Sequence, residues 1–272
     1  MKVKNKTILL TGSTGGIGYC LAELLVKNGA QLIILGKDKA RLKLQAEDLG
    51  SKSFYPINTI EVNLNRPNAV DEVKKQLDDL GVKIDILINN AGIMDFTSIT
   101  EQSVNRIAEM IHINSVIPIQ LSRRLLPDIL ESNSGQIVFI GSILGSIGLP
   151  YHATYSASKF ALRGFAQALR REIASKNIYV TYIAPRAVNT ALNNPNAQEM
   201  LKATGSKIDD PEDVAFAILK AIEQNRDEVY VGQPESFFAR LNALFPSIVS
   251  FGLKKQTRTA YEYLHKKGTS YV

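Results

Sequence analysis

The stretch "YHATYSASKFALRG" carries Tyr155 and Lys159 four residues apart, and Ser142 stands thirteen residues before the tyrosine. Four residues is about one helical turn, so both side chains project from the same side of any helix that holds them. Together with Ser142 they suit the chemistry of a carbonyl and alcohol pair. A ketone that gains a hydride builds negative charge on its oxygen, which a phenol can quench with a proton and a hydroxyl can hold by a hydrogen bond. An ammonium nearby favours the phenolate, so Lys159 is expected to bring the Tyr155 proton equilibrium, ordinarily at about 10, closer to neutrality. Spacing alone does not make a site, because 10 Tyr in 272 residues give roughly one Tyr-x-x-x-Lys by chance. A second does occur, Tyr263 with Lys267, and Ser250 lies thirteen residues ahead of it. Two polar residues sharing a helix face remain the competing reading until context decides.

A second group of residues points to a nucleotide. "TILLTGSTGGIGYCLAELL" sets Gly12, Gly15, Gly16 and Gly18 between an apolar run and a helical pattern. Glycines there let the backbone turn tightly and let a pyrophosphate reach the N-terminal amides of the helix, where the dipole favours anions. The spacing is Gly-x-x-x-Gly-x-Gly rather than the Gly-x-Gly-x-x-Gly of the generic dinucleotide fingerprint. An ordinary strand-to-helix turn needs one or two glycines, so four favour the nucleotide. The next apolar run ends "LIILGKDKARL". A carboxylate just past such a strand holds the ribose 2′-hydroxyl of NAD, and a cation accepts the 2′-phosphate of NADP. Gly36 and Lys37 supply a cation and no carboxylate, although Asp38 follows, so NADP(H) is expected ahead of NAD(H).

The elements that must position these residues alternate along the chain. Strand patterns fall at 7–11, 32–35, 84–89, 136–141, 179–184 and 228–231, with a weaker one near 57–62, and helical periodicity fills the segments between them. Such alternation predicts βαβ crossovers, and hence an α/β fold whose parallel sheet carries helices on both faces. Ligands of such sheets bind beyond the carboxyl ends of the strands. After Gln233 the strand pattern stops, and residues 233–272 read as one or two appended helices.

In this order, TGxxxGxG, then "NNAG" (Asn89 to Gly92) closing a strand, then Ser142 after a strand, then Tyr155 with Lys159, the chain resembles the short-chain dehydrogenase/reductase family over about residues 5 to 232. The resemblance implies a Rossmann-type doubly wound sheet of about seven strands, a nicotinamide cofactor, and a catalytic group of Asn114, Ser142, Tyr155 and Lys159. Lys159 would also hold the nicotinamide ribose, and Asn114 would order a water that links Lys159 to solvent. The implied cofactor residues are Gly12, Ser13, Thr14, Gly16, Ile17 and Gly18, then Lys37, Asn63, Leu64, Asn90, Ala91 and Gly92, then Tyr155, Lys159, Pro185, Val188 and Thr190. The resemblance also separates the two Tyr-x-x-x-Lys pairs. Ser142 ends a buried strand, whereas Ser250 sits in a helical tail, so Tyr263 and Lys267 read as an ordinary exposed pair. Three positions depart from the family pattern. Asn63 replaces the Asp that usually contacts adenine, Arg186 replaces a Gly after Pro185, and no basic residue precedes Gly16. Arg186 is either an anchor for an anionic substrate group or an arginine pointing to solvent.

Composition removes several other classes. With 45% hydrophobic content the chain can bury one sizeable core, so residues 1–232 are read as a single catalytic domain. The net charge of +6 is spread through the helices rather than gathered into a basic run, which gives no footing for nucleic acid. The lone Cys20 fits a reducing, cytoplasmic setting, and no run of 18 apolar residues predicts a membrane span. The three His residues show no metal-ligand spacing, so no metal is expected. A serine hydrolase is excluded because Ser142 sits in "IGSILG" and not in Gly-x-Ser-x-Gly. The remaining alternative is a non-enzymatic dinucleotide sensor or scaffold, which would have no chemical need for a proton donor. Ile93, Met94, Leu144, Leu149, Tyr151 and residues 191–206 are the expected substrate wall, apolar enough for a lipophilic carbonyl or alcohol. The tail offers Phe237, Phe238, Leu241, Leu244 and Phe245 before Pro246, and Ile248, Val249, Phe251 and Leu253 after it. Packing on the protein itself or at a homodimer or homotetramer contact ranks ahead of a peripheral membrane anchor, for which nearby lysines and arginines also speak.

Overall fold

Seven strands form one sheet in the computed structural model, which describes residues 2–132, 134–192 and 195–266. They are β1 (Thr7–Thr11), β2 (Gln31–Gly36), β3 (Asn58–Glu61), β4 (Ile86–Asn89), β5 (Gly135–Ile140), β6 (Ile178–Pro185) and β7 (Glu228–Val231). The order is β3-β2-β1-β4-β5-β6-β7, and every pairing is parallel. The expected Rossmann-type doubly wound sheet is therefore the observed one. The fourth strand is shorter than its apolar run, because Asp85 bonds with β1 from outside it: its carboxylate accepts from Thr7 N at 2.8 Å and from Lys6 Nζ at 3.0 Å.

Alternation along each strand decides which helices lie on which face. On β1 and β2, Leu9, Ile33 and Leu35 join α3 (Ala69–Asp79), α5 (Ile117–Glu131) and α6 (Ala153–Glu172) through Val73, Leu121, Leu125, Leu162 and their neighbours. The intervening Ile8, Leu10, Leu32 and Ile34 bury against α1 (Gly16–Lys27), α2 (Lys39–Gly50) and α8 (Pro211–Glu223). Helix α8 starts as its sequence prescribes, with Pro211 in the first turn beside Glu212 and Asp213, and Lys220 near its end. Helix α2 is capped by Asp38, whose carboxylate accepts from Arg41 N at 3.0 Å. The direction of winding reverses between β1 and β4, where the ends of neighbouring strands leave a crevice.

Beyond β7 the chain forms α9 (Glu235–Leu244), α10 (Pro246–Gly252) and α11 (Lys254–Lys266), three helices where one or two were expected. Phe245 leaves helical geometry at φ −136° just before Pro246, which restarts the helix in its first turn. Ala239 and Val249 bury against Ile143, Leu144 and Met110, and Ala260 of α11 buries against Phe96, Met200 and Ala197 of α7 (Pro195–Ala203). Tyr263 joins that second cluster half-buried rather than exposed, and Lys267 lies outside the described residues. Asn242 Nδ2 donates to Ser146 O at 2.9 Å.

Arg186 is a polar tie of the extension rather than an arginine pointing to solvent. Its side chain is 11% exposed. It donates to both Asp209 oxygens, at 2.9 and 2.5 Å, and through Nη1 to Gln233 O at 2.7 Å and Glu235 Oε2 at 2.9 Å. Four of its five N–H donors are thus engaged within the chain, which no local pattern around "APRAVNT" reveals. Gly232 passes under it with φ +95°, and a Cβ there would stand 2.5 Å from Arg186 Nε. Arg186→Ala should therefore lower stability by about 1–3 kcal/mol, the scale of lost charged hydrogen bonds, and speed proteolytic cutting within α9 to α11. Unchanged thermal unfolding with an unchanged cleavage pattern would show that the clamp carries no load.

Candidate active site

The crevice begins where β1 and β4 end together. Thr11 Oγ1 accepts from the backbone N–H groups of Asn90 and Ala91, both at 3.0 Å, while Asn90 Nδ2 donates to Thr11 O at 3.1 Å and Gly12 O at 3.0 Å. The two turns are so close that a Cβ on Gly12, at φ +64°, would stand 2.7 Å from Ala91 Cα. On Gly18 a Cβ would stand 2.3 Å from Gly12 O, and on Gly16 it would meet Thr190 Cγ2 at 2.5 Å. Gly15 is the N-cap of α1 and gives it no side-chain bond, which leaves the first-turn N–H groups for a ligand. Gly12, Gly15, Gly16, Gly18, Asn90, Ala91 and Thr190 line one end of a cavity of about 1130 Å³ that also takes in Lys37, Arg41, Asn63 and Leu64. A dinucleotide fits this end: bare first-turn amides for a pyrophosphate and two cations for a 2′-phosphate, with the Asp38 carboxylate committed to capping α2. Asn63 Oδ1 accepts from Asn65 N at 3.0 Å, so part of its acceptor capacity is used locally.

The other end carries the proposed chemistry. Ser142 follows β5, and Tyr155 and Lys159 rise from one side of α6; the two are 6% and 4% exposed. Lys159 Nζ donates to Ile140 O at 3.0 Å and lies 5.7 Å from the centre of the Tyr155 ring. Ser142 Oγ accepts from Leu144 N at 3.1 Å, and its hydroxyl lies within hydrogen-bonding reach of the Tyr155 phenol. Asn114 sits in a π-helical turn, His112–Val116, between α4 (Val104–Ile111) and α5, a kind of helix widening often found at functional sites. It is fully buried and does not reach the cavity wall. Its amide donates to Ile93 O at 2.8 Å and Ser158 Oγ at 3.0 Å and accepts from Ile93 N at 2.9 Å, which braces the turn after β4 against α6.

Burial dominates the electrostatics. The Tyr155 phenol is pushed up to about 12 by loss of hydration, with the Ser142 hydroxyl pulling the other way, and the Lys159 ammonium is brought down to about 8 by burial. The expectation that Lys159 draws Tyr155 towards neutrality is not met in the protein by itself. Each charged form loses hydration on burial, which keeps the phenol protonated and weakens the hold of the amine on its proton.

Every residue expected to bind cofactor lines the cavity except Ser13, which is fully buried and whose carbonyl accepts from Gln45 Nε2 at 3.0 Å. Of the expected substrate wall, Ile93, Met94, Leu144 and Leu149 are in place, and from 191–206 so are Ala191, Leu192, Met200, Leu201 and residues 203–206. Tyr151 is not, because its ring turns edge-on to Phe96 at 6.0 Å between centroids. Its place is taken from the extension by Phe238, Leu241, Ile248, Val249 and Leu253. The sequence reading also missed three supports. Thr11 had a signal, as the first letter of TGxxxGxG, and Arg41, whose Nη2 donates to Thr14 O at 3.0 Å, stands over the glycine turn that lacks a basic residue of its own. Tyr182 had none: it reads as one more strand residue. Yet its buried hydroxyl donates to Ser142 O at 3.2 Å, and a Cβ on Gly141 or Gly145 would overlap it.

A parallel sheet with a glycine turn at its switch point and a buried Ser, Tyr and Lys beside it defines a dinucleotide-linked oxidoreductase of the Rossmann class. A family model described as short chain dehydrogenase matches residues 6–201, and the chain belongs to the short-chain dehydrogenase/reductase family. Dehydrogenase/reductase SDR family member 7B of Danio rerio is 30% identical over 261 residues, 90% of this chain and 84% of that one. An oxidoreductase of Staphylococcus aureus is 32% identical over 223 residues, 81% of this chain and 92% of that one. Among solved structures, a short-chain dehydrogenase from Sphingobium yanoikuyae in complex with NADPH has a TM-score of 0.77 at 25% identity, covering 90% of this chain and 95% of its own. L-Sorbose reductase from Gluconobacter frateurii, complexed with NADPH and L-sorbose, scores 0.76 at 25% identity, covering 85% and 96%. The protein is thus an oxidoreductase, and the sensor or scaffold alternative is set aside.

The buried lysine gives stability a pH dependence. With Lys159 at about 8 in the folded chain and 10.5 as the ordinary value, the unfolded chain binds more protons between those limits, so stability rises with pH across that window. Tyr155, at about 12 against 10.0, works in the opposite direction, but only above the ordinary tyrosine value. Urea unfolding of the wild type and Lys159→Met from about pH 7 to 10 should therefore show the difference moving in favour of the wild type, by roughly 2 kcal/mol. Parallel curves would mean that the ammonium keeps its hydration.

Proposed function

We propose that the protein is an NADP(H)-dependent oxidoreductase that interconverts a lipophilic carbonyl compound and its alcohol, with Tyr155 as the acid and base. The observation that carries the reading is one continuous cavity, with the glycine turn, Lys37 and Arg41 at one end and Ser142, Tyr155 and Lys159 at the other. A bound nicotinamide dinucleotide supplies the hydride for reduction and takes it back in oxidation. Ser142 orients the substrate oxygen with its O–H, and Tyr155 passes its phenolic proton to that oxygen as charge develops. A phenol held up to about 12 is protonated at neutral pH, the state that carbonyl reduction needs. Lys159, tethered to Ile140 O, holds positive charge near the phenol whenever it is protonated, and would bind the nicotinamide ribose. Ile147, Leu149, Leu241 and Leu253 keep the substrate end largely apolar, which favours a bulky lipophilic substrate and excludes water from the proton transfer.

Two outcomes check the reading. Tyr155→Phe should reduce kcat by about 10²- to 10⁴-fold, the range of general acid catalysis, while leaving NADPH affinity nearly unchanged. Retention of more than about a tenth of kcat would remove Tyr155 from its role. Lys37→Glu and Arg41→Glu should each weaken NADPH binding by about 10- to 100-fold, equivalent to ~1–3 kcal/mol for a lost charged contact, with little change for NADH. Equal losses for both cofactors in titrations followed by nucleotide fluorescence would show that neither cation reads the 2′-phosphate.

A further inference from the structure

We propose that the outward face of α9 and α10 docks on an anionic lipid bilayer and opens the catalytic cavity towards it, so that lipophilic substrate enters from the membrane. One side of these helices is committed to the protein, with Ala239 and Val249 buried. The other presents Phe237, Phe238, Leu244, Phe245, Ile248 and Phe251, all between 44% and 73% exposed. Six large apolar side chains within fifteen residues make a patch that a soluble surface rarely carries without a partner. Charge identifies the partner. From Ser236 to Tyr261 the chain holds Arg240, Lys254, Lys255 and Arg258 and no Asp or Glu. All four cations are exposed; Lys254 Nζ stands 4.9 Å from the centre of the Phe251 ring, so that cation and aromatic share one surface, while Arg240 lies 5.9 Å from the centre of the Tyr230 ring. The flanking carboxylates are engaged, Glu235 by Arg186 at 2.9 Å and Glu262 by Arg258 at 3.3 Å, the second pair offsetting one of the four cations. Aromatic and aliphatic side chains bordered by cations match the boundary between acyl chains and anionic headgroups. Among the described residues no helix is long and apolar enough to cross a membrane, so the contact is interfacial.

A second copy of the chain fits this face less well. A twofold contact through it would bring the same carboxylate-free cationic segment up to itself. It would also cover Phe238 and Ile248, which are exposed and at the same time line the cavity. From them the apolar surface continues inward through Leu241, Val249 and Leu253 towards Leu144 and Tyr155. A protein seated there would block that route, whereas a bilayer would supply it.

Docking is tested without turnover, and only the delivery step rests on the oxidoreductase reading. The full chain is cosedimented with phosphatidylcholine vesicles containing about 30% phosphatidylserine, and with phosphatidylcholine alone, in about 0.1 M and about 0.5 M salt. Binding should be at least about tenfold tighter with phosphatidylserine and should weaken in high salt. Phe245→Ser with Phe251→Ser, and separately Lys254→Glu with Arg258→Glu, alter residues outside the cavity wall. Each pair should cut binding at least about tenfold while thermal unfolding and turnover of a water-soluble carbonyl stay as in the wild type. Absence of binding, equal binding to both vesicles, or variants that bind as the wild type does would overturn docking. So would a wild-type dimer, seen by sedimentation, that the Phe pair converts to monomer. For a long-chain carbonyl carried in the vesicles, the Phe pair should raise KM about tenfold, in step with lost docking; an unchanged KM would overturn delivery. Failure of every variant and the wild type to turn over any carbonyl would instead count against the oxidoreductase reading, with the vesicle result standing.

Discussion

Lys159 carries its ammonium into a place that is 4% exposed, and the hydrogen bond from Nζ to Ile140 O, 3.0 Å long, ties the middle of α6 to the last residue of β5. Removing an ammonium from water costs several kcal/mol, so such a group persists only where the surrounding packing holds it. Here the packing is the apolar face of α6, with Leu162, Ala166 and Leu169 buried against the sheet. Once α6 is seated in this way, Tyr155 follows one turn earlier on the same side. Ser158 Oγ then reaches Tyr155 O at 2.7 Å, Asn114 Nδ2 reaches Ser158 Oγ, and Ser115 Oγ donates to Ser158 O at 2.9 Å. The π-helical turn, the end of β4 and the end of β5 are in this way referred to one helix.

The same dependence links the two ends of the cavity. Thr11 and Asn90 lock the ends of β1 and β4 together, and Asn114 binds the backbone of Ile93 just beyond. The glycine turn and the Ser142, Tyr155 and Lys159 group therefore stand on one hydrogen-bonded frame, and their separation cannot change without breaking it. Tyr182 supports the frame from below, its ring filling the space that Gly141 and Gly145 leave and its hydroxyl meeting the backbone of Ser142. The cost falls on proton affinities: burial drives both Tyr155 and Lys159 towards their neutral forms. A site built this way exchanges solvation of its ionised states for exclusion of water and fixed geometry.

The helices after β7 have two dissimilar faces. Inward, they complete the apolar wall over Tyr155 and are tied down by Arg186 and Asn242. Outward, they are aromatic, aliphatic and cationic. A short amphipathic helix normally buries its one apolar side, whereas α9 and α10 have apolar residues left over after doing so. One part of the cavity wall and the exposed patch thus belong to the same seventeen residues, 237–253, which couples access to the cavity with whatever surface the protein meets.

Local pattern was enough to determine the sheet, its parallel winding, the glycine turn and the Ser142, Tyr155 and Lys159 group. Strand alternation, a strand-turn-helix around clustered glycines and a one-turn spacing are properties of neighbouring residues, so they are written in consecutive letters. What the sequence left undecided involves partners far apart in the chain. Arg186 meets Asp209 and Glu235, 23 and 49 residues away, Tyr182 meets Ser142, 40 residues away, and Tyr151 leaves the substrate wall for Phe96. The proton affinities belong to the same class. The Lys159 charge was visible in the sequence, but the desolvation that raises Tyr155 exists only when the sheet, α6 and the C-terminal helices close around the pair. Pairwise charge is a property of residue types; burial is a property of the fold.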